Sequence, residues 1–128
     1  MPARGRRTTG GDRRALGARG EQAAADWYVD AGYRILDRNW RVREGELDLV
    51  LLAPDASVVF CEVKTRTSDR YGAPVEAVTS TKQRRIRTLA AQWLAAHPGV
   101  GSGVRFDVAS VLVVGDGAVE IDVVQAGF

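Results

Sequence analysis

Two apolar runs separated by a turn-forming segment occur in residues 45–66, GELDLVLLAPDASVVFCEVKTR. Both runs are rich in Leu, Val and Phe, residues that pack well in strands, while Pro54 and Asp55 in the intervening segment favour a turn. The pattern predicts a β-hairpin. Both predicted strands also contain charged residues: Asp48 in the first, Glu62 and Lys64 in the second.

The chain before the hairpin predicts a basic arm, a helix and a strand. Residues 1–13 are rich in Arg, Gly and Thr without apolar periodicity, which predicts a disordered arm outside the domain. From Ala15 to Ala31 apolar residues recur at helical spacing, and Gly32 follows as a stop signal. Residues 33–40 then fit a short strand.

The chain after the hairpin predicts a second helix and two strands. The helix is expected between a cap near Thr79 and a stop at His97. Residues 104–114 and 118–124 have the composition of strands. The order helix, three strands, helix, two strands predicts one α/β domain over residues 14–128, with a mixed central β-sheet flanked by helices.

Composition restricts the class of protein. A chain of 128 residues, 45% hydrophobic and 27% charged, fits one soluble domain, and it has no apolar run long enough to cross a bilayer. Arg6 and Arg7 are not followed by the apolar stretch that an export signal needs. One cysteine, Cys61, and one histidine, His97, exclude a disulfide within the chain and a Cys/His zinc site. We therefore expect a cytoplasmic protein without a membrane partner.

The charged residues of the hairpin lie in an unusual setting. Glu62 and Lys64 are two apart on one predicted strand, so their side chains emerge on the same face. Asp48 is surrounded by leucine and valine, and a carboxylate buried in such a strand needs a partner or a metal ion. These residues are candidates for a functional site.

The relative position of the two carboxylates depends on the hairpin register. If Leu52 pairs with Val58, Asp48 lies opposite Glu62 on a shared face. A simple four-residue loop would instead place Asp48 opposite Val63, on the other face. The first register predicts a two-carboxylate site, whereas the second removes it.

A site of this kind suits Mg²⁺ or Mn²⁺, which bind one or two carboxylates together with water and phosphate oxygens. Lys64 would then orient a water molecule or neutralise charge on a phosphate. The same spacing also fits a simpler interpretation, in which Glu62 and Lys64 form an ordinary ion pair and backbone donors satisfy Asp48. Spacing alone does not separate the two.

The segments GELDLV (residues 45–50) and VFCEVKTR (residues 59–66) resemble the signature of the YraN-type family of small bacterial proteins. The fold of that family is similar to those of restriction endonucleases and archaeal Holliday junction resolvases. The resemblance covers roughly residues 15–110. Further matching residues are Gly17, Gly20, Glu21, Tyr71, Gly72, Pro74, Glu76, Ala77, Val78, Lys82 and residues 105–108.

By this resemblance, Asp48, Glu62 and Lys64 correspond to the PD-(D/E)xK nuclease motif, and Glu21 corresponds to the acidic residue of the first helix. Cys61 stands where the family more often has an aliphatic residue. The resemblance implies a metal-dependent endonuclease acting on DNA, such as a structure-selective, resolvase-like enzyme, with Asp48 and Glu62 holding Mg²⁺ or Mn²⁺. The alternative is a non-catalytic nucleic-acid-binding protein that retains the nuclease fold.

The second predicted helix carries a candidate nucleic-acid-binding surface. Its basic residues are Lys82, Arg84, Arg85 and Arg87. They fall partly opposite the apolar stripe and suit phosphate contacts, although an ordinary solvated helix face has the same composition. A symmetric nucleic-acid substrate would favour a homodimer.

Three other residues need comment. Glu21 also fits an ordinary exposed acid near a helix N-terminus. Asp107 is expected in a strand, where its role stays open. Cys61 lies in the middle of an apolar strand, which is typical of a core residue rather than of a thiol nucleophile.

Overall fold

The computed structural model describes residues 10–67, 78–115 and 117–128. The predicted order of helix, three strands, helix and two strands is confirmed. The elements are α1 (Gly10–Asp30), β1 (Arg34–Val42), β2 (Gly45–Leu52), β3 (Val58–Thr67), α2 (Ser80–Ala96), β4 (Val104–Val113) and β5 (Val119–Val124).

The five strands form one mixed sheet in the order β1-β2-β3-β4-β5. β1, β2 and β3 pair antiparallel in succession, as do β4 and β5. β3 and β4 are parallel, and α2 lies between them in the chain, as a parallel crossover requires. The sheet is therefore the mixed α/β type that the sequence predicts.

The two helices pack on different sets of strand residues. In β3, Val59 and Cys61 belong to the core cluster that contains the buried residues of α1, whereas Val58 and Phe60 belong to the cluster of α2. This alternation means that successive β3 residues are buried on opposite faces. A strand covered on both faces has a continuous apolar run, which explains the VVFC sequence at residues 58–61.

The first helix is longer than predicted. It begins at Gly10 rather than Ala15, so residues 10–13, which the sequence assigns to the arm, are helical. Arg13, Arg14 and Ala15 are strong helix formers, and they extend the helix beyond the apolar stripe that located it in the sequence. Residues 1–9 of the predicted arm lie outside the described residues.

No helix in the three described segments combines the length and the apolarity needed to cross a membrane.

Candidate functional site

The β2–β3 hairpin has the register that brings Asp48 towards Glu62. Leu52 pairs with Val58, and the ladder continues to Leu49 opposite Cys61. The five-residue connection, residues 53–57, is closed by a hydrogen bond from the Ala53 backbone N–H to the Ser57 carbonyl at 2.9 Å. The pairing ends before Asp48 and Glu62, so these two acids lie where the strands separate.

Asp48 is fixed by its side chain where the backbone ladder has ended. Its Oδ2 accepts a hydrogen bond from the Val63 backbone N–H at 2.8 Å. The residue therefore bridges β2 and β3 in place of a main-chain pair. A backbone donor for Asp48 was part of the simpler interpretation of the motif, and the structure contains it.

The electrostatics of Asp48 reveal its acidic neighbours. Burial, followed by the negative charge of Glu62, raises the pKa of Asp48 to about 7. Glu21 and Glu46 raise the pKa further, and the hydrogen bond from Val63 opposes the rise. The charges of Glu62 and Glu21 thus act on Asp48, and we call these three acids the acidic cluster: Glu21, Asp48 and Glu62.

Glu62 has a cationic partner on α2. Its side chain is only 9% exposed, and its Oε2 lies 2.5 Å from Nζ of Lys82. The simpler interpretation paired Glu62 with Lys64, but among the described residues the ion pair of Glu62 is with Lys82. Lys82, predicted from the sequence to contact nucleic acid, therefore belongs to the acidic cluster's immediate surroundings.

Lys64 lies at the edge of this cluster. It follows Glu62 by two residues on β3, which places both side chains on the same face of the strand. The Lys64 side chain is partly buried, and its backbone pairs with Ser110 of β4. No ion pair joins Lys64 to Glu62, whose cationic partner among the described residues is Lys82.

Glu21 is held in position by two features that motif reasoning does not supply. Its Oε1 accepts a hydrogen bond from Nδ2 of Asn39 on β1 at 2.9 Å. Asn39 has a φ of 50°, a left-handed conformation that asparagine tolerates better than most residues. Asparagine is uncommon in strands, so its presence within β1 is a weak sequence signal for such a special position.

Gly20 brings α1 close to β3 beside Glu21. A Cβ on Gly20 would lie 2.8 Å from Cβ and 2.9 Å from Cγ2 of Thr65, distances too short for real carbon atoms. Glycine is therefore required where the helix crosses the strand. Because Glu21 is the next residue, this close approach also sets how far the first helix carries that carboxylate towards the sheet.

The acidic cluster has the oxygen donors that a hard divalent cation prefers. Glu62 is buried and Asp48 is partly buried, and the negative charge of Glu62 contributes to the raised pKa of Asp48. Across the described segments, no group of three or more His, Cys, Asp or Glu side chains is arranged to hold a metal ion unaided. Two carboxylates fit Mg²⁺ or Mn²⁺, which keep water or phosphate oxygens as further ligands.

The remaining basic residues of α2 differ from one another. Arg84, Arg85 and Arg87 are all exposed. The Arg87 guanidinium lies 4.8 Å from the ring centroid of Phe106 and 5.6 Å from that of Phe128, so it also contributes to packing. Arg84 and Arg85 are therefore better candidates than Arg87 for a surface that binds nucleic acid by charge alone.

Asp107, whose role the sequence left open, is a buried structural acid. It is fully buried and accepts hydrogen bonds from the Tyr28 hydroxyl at 2.7 Å and from Nε of Arg105 at 2.9 Å. It also accepts one from the Ala126 backbone N–H at 3.0 Å. These partners tie α1, β4 and the end of the chain together.

Two further predictions concern residues outside the cluster. Burial raises the pKa of Cys61 to about 12, which keeps the thiol protonated and agrees with its expected place in the core. The family-like residues Tyr71, Gly72, Pro74, Glu76 and Ala77 lie outside the described residues.

Comparison with known proteins identifies the family. Residues 20–111 match the model of the family described as "Uncharacterised protein family UPF0102". A UPF0102 protein of Frankia casuarinae is 53% identical over 114 residues, which cover 89% of this chain and 96% of the relative. A UPF0102 protein of Nocardia farcinica is 51% identical over 119 residues, 92% of each chain. One of Mycolicibacterium vanbaalenii is 54% identical over 106 residues, 82% of this chain and 87% of the relative. The resemblance to the YraN-type proteins is thereby confirmed, and the chain belongs to the UPF0102 family.

Proposed function

We propose that the protein is a metal-dependent endonuclease that acts on DNA. The observation that carries the proposal is the position of Asp48, whose carboxylate is held against β3 beside the shielded carboxylate of Glu62. A buried acid, Glu62, beside a partly buried one, Asp48, favours the binding of positive charge. Mg²⁺ or Mn²⁺ bound by Asp48 and Glu62 would supply that charge.

A divalent ion bound there would supply Lewis-acid polarisation of a phosphodiester oxygen and a nucleophilic water at neutral pH. The chain's own residues would do the rest. Lys64 would place its ammonium beside the phosphate and offset the negative charge that develops during hydrolysis. Glu21, fixed by Asn39, would orient water at the rim of the cluster.

The charge distribution supports a polyanionic substrate. Arg84 and Arg85 lie on the exposed face of α2, and Lys82 at the start of the same helix contacts Glu62. A nucleic-acid backbone bound along this helix would therefore pass the acidic cluster. The family resemblance favours DNA with a branched structure, acted on in the cytoplasm, and a symmetric junction would recruit two copies of the chain.

The test is a cleavage assay with Mg²⁺ or Mn²⁺ on branched, flapped, single-stranded and duplex DNA. Asp48→Ala and Glu62→Ala should each abolish cleavage, because each removes a metal-binding carboxylate. Lys64→Ala should lower turnover and spare most metal affinity. Asp55→Ala is the matched control, since Asp55 is an exposed acid in the turn of the same hairpin, and it should cleave like the wild-type protein.

One observation favours a second candidate, a nucleic-acid-binding protein without catalysis. Both acids already have partners within the chain: Val63 for Asp48 and Lys82 for Glu62. In that case the protein should bind nucleic acid, cleave nothing in the panel, and bind equally well after Asp48→Ala or Glu62→Ala. That combination of results would replace the endonuclease proposal.

A further inference from the structure

We infer that Lys82 is a built-in competitor of the metal ion: in the metal-free protein its ammonium neutralises Glu62, and a divalent cation binds only by displacing it. This inference rests on the proposed metal site. It assigns to Lys82 a role different from the phosphate contact that its place in a basic helix suggests.

The ion pair occupies the place that a metal would need. Nζ of Lys82 lies 2.5 Å from Oε2 of Glu62, and the Glu62 side chain is only 9% exposed. Mg²⁺ binds an oxygen ligand at about 2.0–2.1 Å, so an ion on that oxygen would lie within roughly 4 Å of the ammonium. Two cations at that separation, in a shielded site, repel one another strongly. Binding of the ion at this oxygen therefore favours departure of the ammonium.

The backbone of Lys82 is anchored while its side chain is free to leave. The Lys82 N–H donates to the Thr79 hydroxyl at 3.1 Å, the N-cap interaction that begins α2. Val78, just before the cap, is buried in the core cluster of α2. In contrast, the Lys82 side chain is 44% exposed. The ammonium has a path to solvent that requires rotation of its flexible side chain and no movement of the helix.

The competition has opposite consequences for the two states of the protein. Without metal, Lys82 offsets the repulsion among Glu62, Asp48 and Glu21 and so stabilises the fold. With metal, the same positive charge opposes the incoming cation. Removal of the Lys82 charge should therefore weaken the metal-free fold and strengthen metal binding. A residue with a purely structural role would produce the first effect only.

The experiment is titration calorimetry with Mn²⁺ on the full chain in the absence of nucleic acid. Lys82→Met keeps the apolar part of the side chain and should bind Mn²⁺ about tenfold more tightly than the wild-type protein. Lys82→Arg, which keeps the charge, should stay close to the wild-type affinity. Arg84→Met removes an exposed charge from the same helix and should change the affinity by less than about twofold, because solvent and salt screen it.

Thermal unfolding supplies the second readout. Without metal, Lys82→Met should unfold at a lower temperature than the wild-type protein. On addition of Mn²⁺, its unfolding temperature should rise by more than that of the wild-type protein. If this variant does not fold, Lys82→Gln, which retains a hydrogen-bond donor without the charge, takes its place in both measurements.

The outcomes separate this inference from the proposed function. If the wild-type protein binds Mn²⁺ through Asp48 and Glu62 but Lys82→Met binds it no more tightly, the competitor role is wrong and the metal site stands. If Arg84→Met strengthens binding as much as Lys82→Met, general electrostatics replaces the specific role. If neither the wild-type protein nor Lys82→Met binds Mn²⁺, both the competitor role and the metal site are wrong.

Discussion

The Asp48 carboxylate accepts a hydrogen bond from the Val63 backbone N–H at 2.8 Å, just beyond the last backbone pair between β2 and β3, Leu49 with Cys61. A side chain thus connects two strands that have begun to separate. The connection holds the Asp48 carboxyl group beside Glu62. The free energy of unfolding therefore depends on whether Asp48 is ionised.

The first prediction concerns this dependence on pH. The pKa of Asp48 rises from 3.8 to about 7 on folding, chiefly because the carboxyl is buried. The folded protein therefore holds the Asp48 proton more tightly than the unfolded chain does. The stabilisation from protonated Asp48 is present below about pH 4 and is lost as the pH rises through about 7. In the absence of metal, the folded protein is therefore less stable with Asp48 ionised than with Asp48 protonated.

Asp48→Asn should reverse this loss. The amide oxygen still accepts from Val63, but the charge is gone, so the variant should exceed the wild-type free energy of unfolding by about 2 kcal/mol at about pH 8 and lose that advantage at about pH 4. Urea unfolding at both pH values measures the difference. Asp55→Asn is the control of opposite sign, because a hydrogen bond from the Ser57 N–H lowers the pKa of Asp55. An equal advantage at both pH values would contradict the explanation.

The second prediction tests the contact between α1 and β3. Gly20→Ala should destabilise the protein by about 2 kcal/mol, because the new methyl group overlaps Thr65. Gly17→Ala is a matched control on the same helix: nothing lies within 4 Å of its Cβ position, so helix propensity should stabilise the protein by about 0.5 kcal/mol.

A double variant locates the cause of that loss. Thr65→Ala removes two of the three atoms nearest the Gly20 Cβ position and should restore part of the stability lost in Gly20→Ala. Urea unfolding of the single and double variants forms a complete thermodynamic cycle. Additive losses would show that Gly20 acts through something other than its contact with Thr65.

The third prediction separates two roles of Asn39. Asn39→Gly accommodates the φ of 50° but removes the hydrogen bond to Glu21, whereas Asn39→Ala removes the bond and introduces strain. Asn39→Ala should be less stable than Asn39→Gly by about 1 kcal/mol. Both variants should show the same reduced cleavage rate if Glu21 acts at the site. Unequal rates would point to backbone distortion instead of the lost hydrogen bond.

The sequence predicts the element order well but does not decide the hairpin register. Residues 49–52 and 58–61 are apolar without alternation, because α1 covers one face of these strands and α2 covers the other. A strand buried on both faces gives no sign of which residues share a face. The register therefore required the geometry of the connection, residues 53–57, which the structure supplies.

The partners of the predicted acids were harder to predict than the acids themselves. Asp48 and Glu62 stand out because charges are rare within apolar strands. Lys82 is far from Glu62 in the chain, and their contact depends on how α2 is placed over β3. The contact between Asn39 and Glu21 likewise joins β1 to α1. Both contacts join residues that are far apart in the chain, so residue spacing does not predict Lys82 as the partner of Glu62 or Asn39 as the partner of Glu21.

The fourth prediction concerns the buried acid Asp107. Asp107→Asn should lower the free energy of unfolding by about 3 kcal/mol, because it removes the charge that pairs with Arg105 in a shielded position. The bond from Ala126 should also weaken, which faster amide exchange near the end of the chain would detect. Mn²⁺ affinity of the folded variant should stay unchanged. A change in that affinity would show that Asp107 acts on the acidic cluster as well as on its own hydrogen-bond partners.

The last prediction tests the surface of α2. Charge reversal at Arg84 and Arg85 should weaken DNA binding across sequences and flatten its dependence on salt. Fewer phosphate contacts form in the variant, so fewer counterions are released on binding. Arg87→Glu is treated separately, since loss of its contacts with Phe106 and Phe128 should also reduce stability by about 1 kcal/mol. Fluorescence anisotropy at several salt concentrations gives both the affinity and the slope.

Arg34→Glu is the control for net charge. Arg34 is exposed at the start of β1 and pairs with Leu52, at the end of the β2–β3 hairpin away from Glu62. A reversal there should change the salt slope by less than about half of one phosphate contact, because the charge does not face the bound backbone. If Arg34→Glu weakens binding as much as either single reversal, Arg84→Glu or Arg85→Glu, the effect is one of overall charge, and α2 is not the contact surface. If only the α2 reversals flatten the slope, the DNA backbone runs along the helix whose first turn presents Lys82 to Glu62.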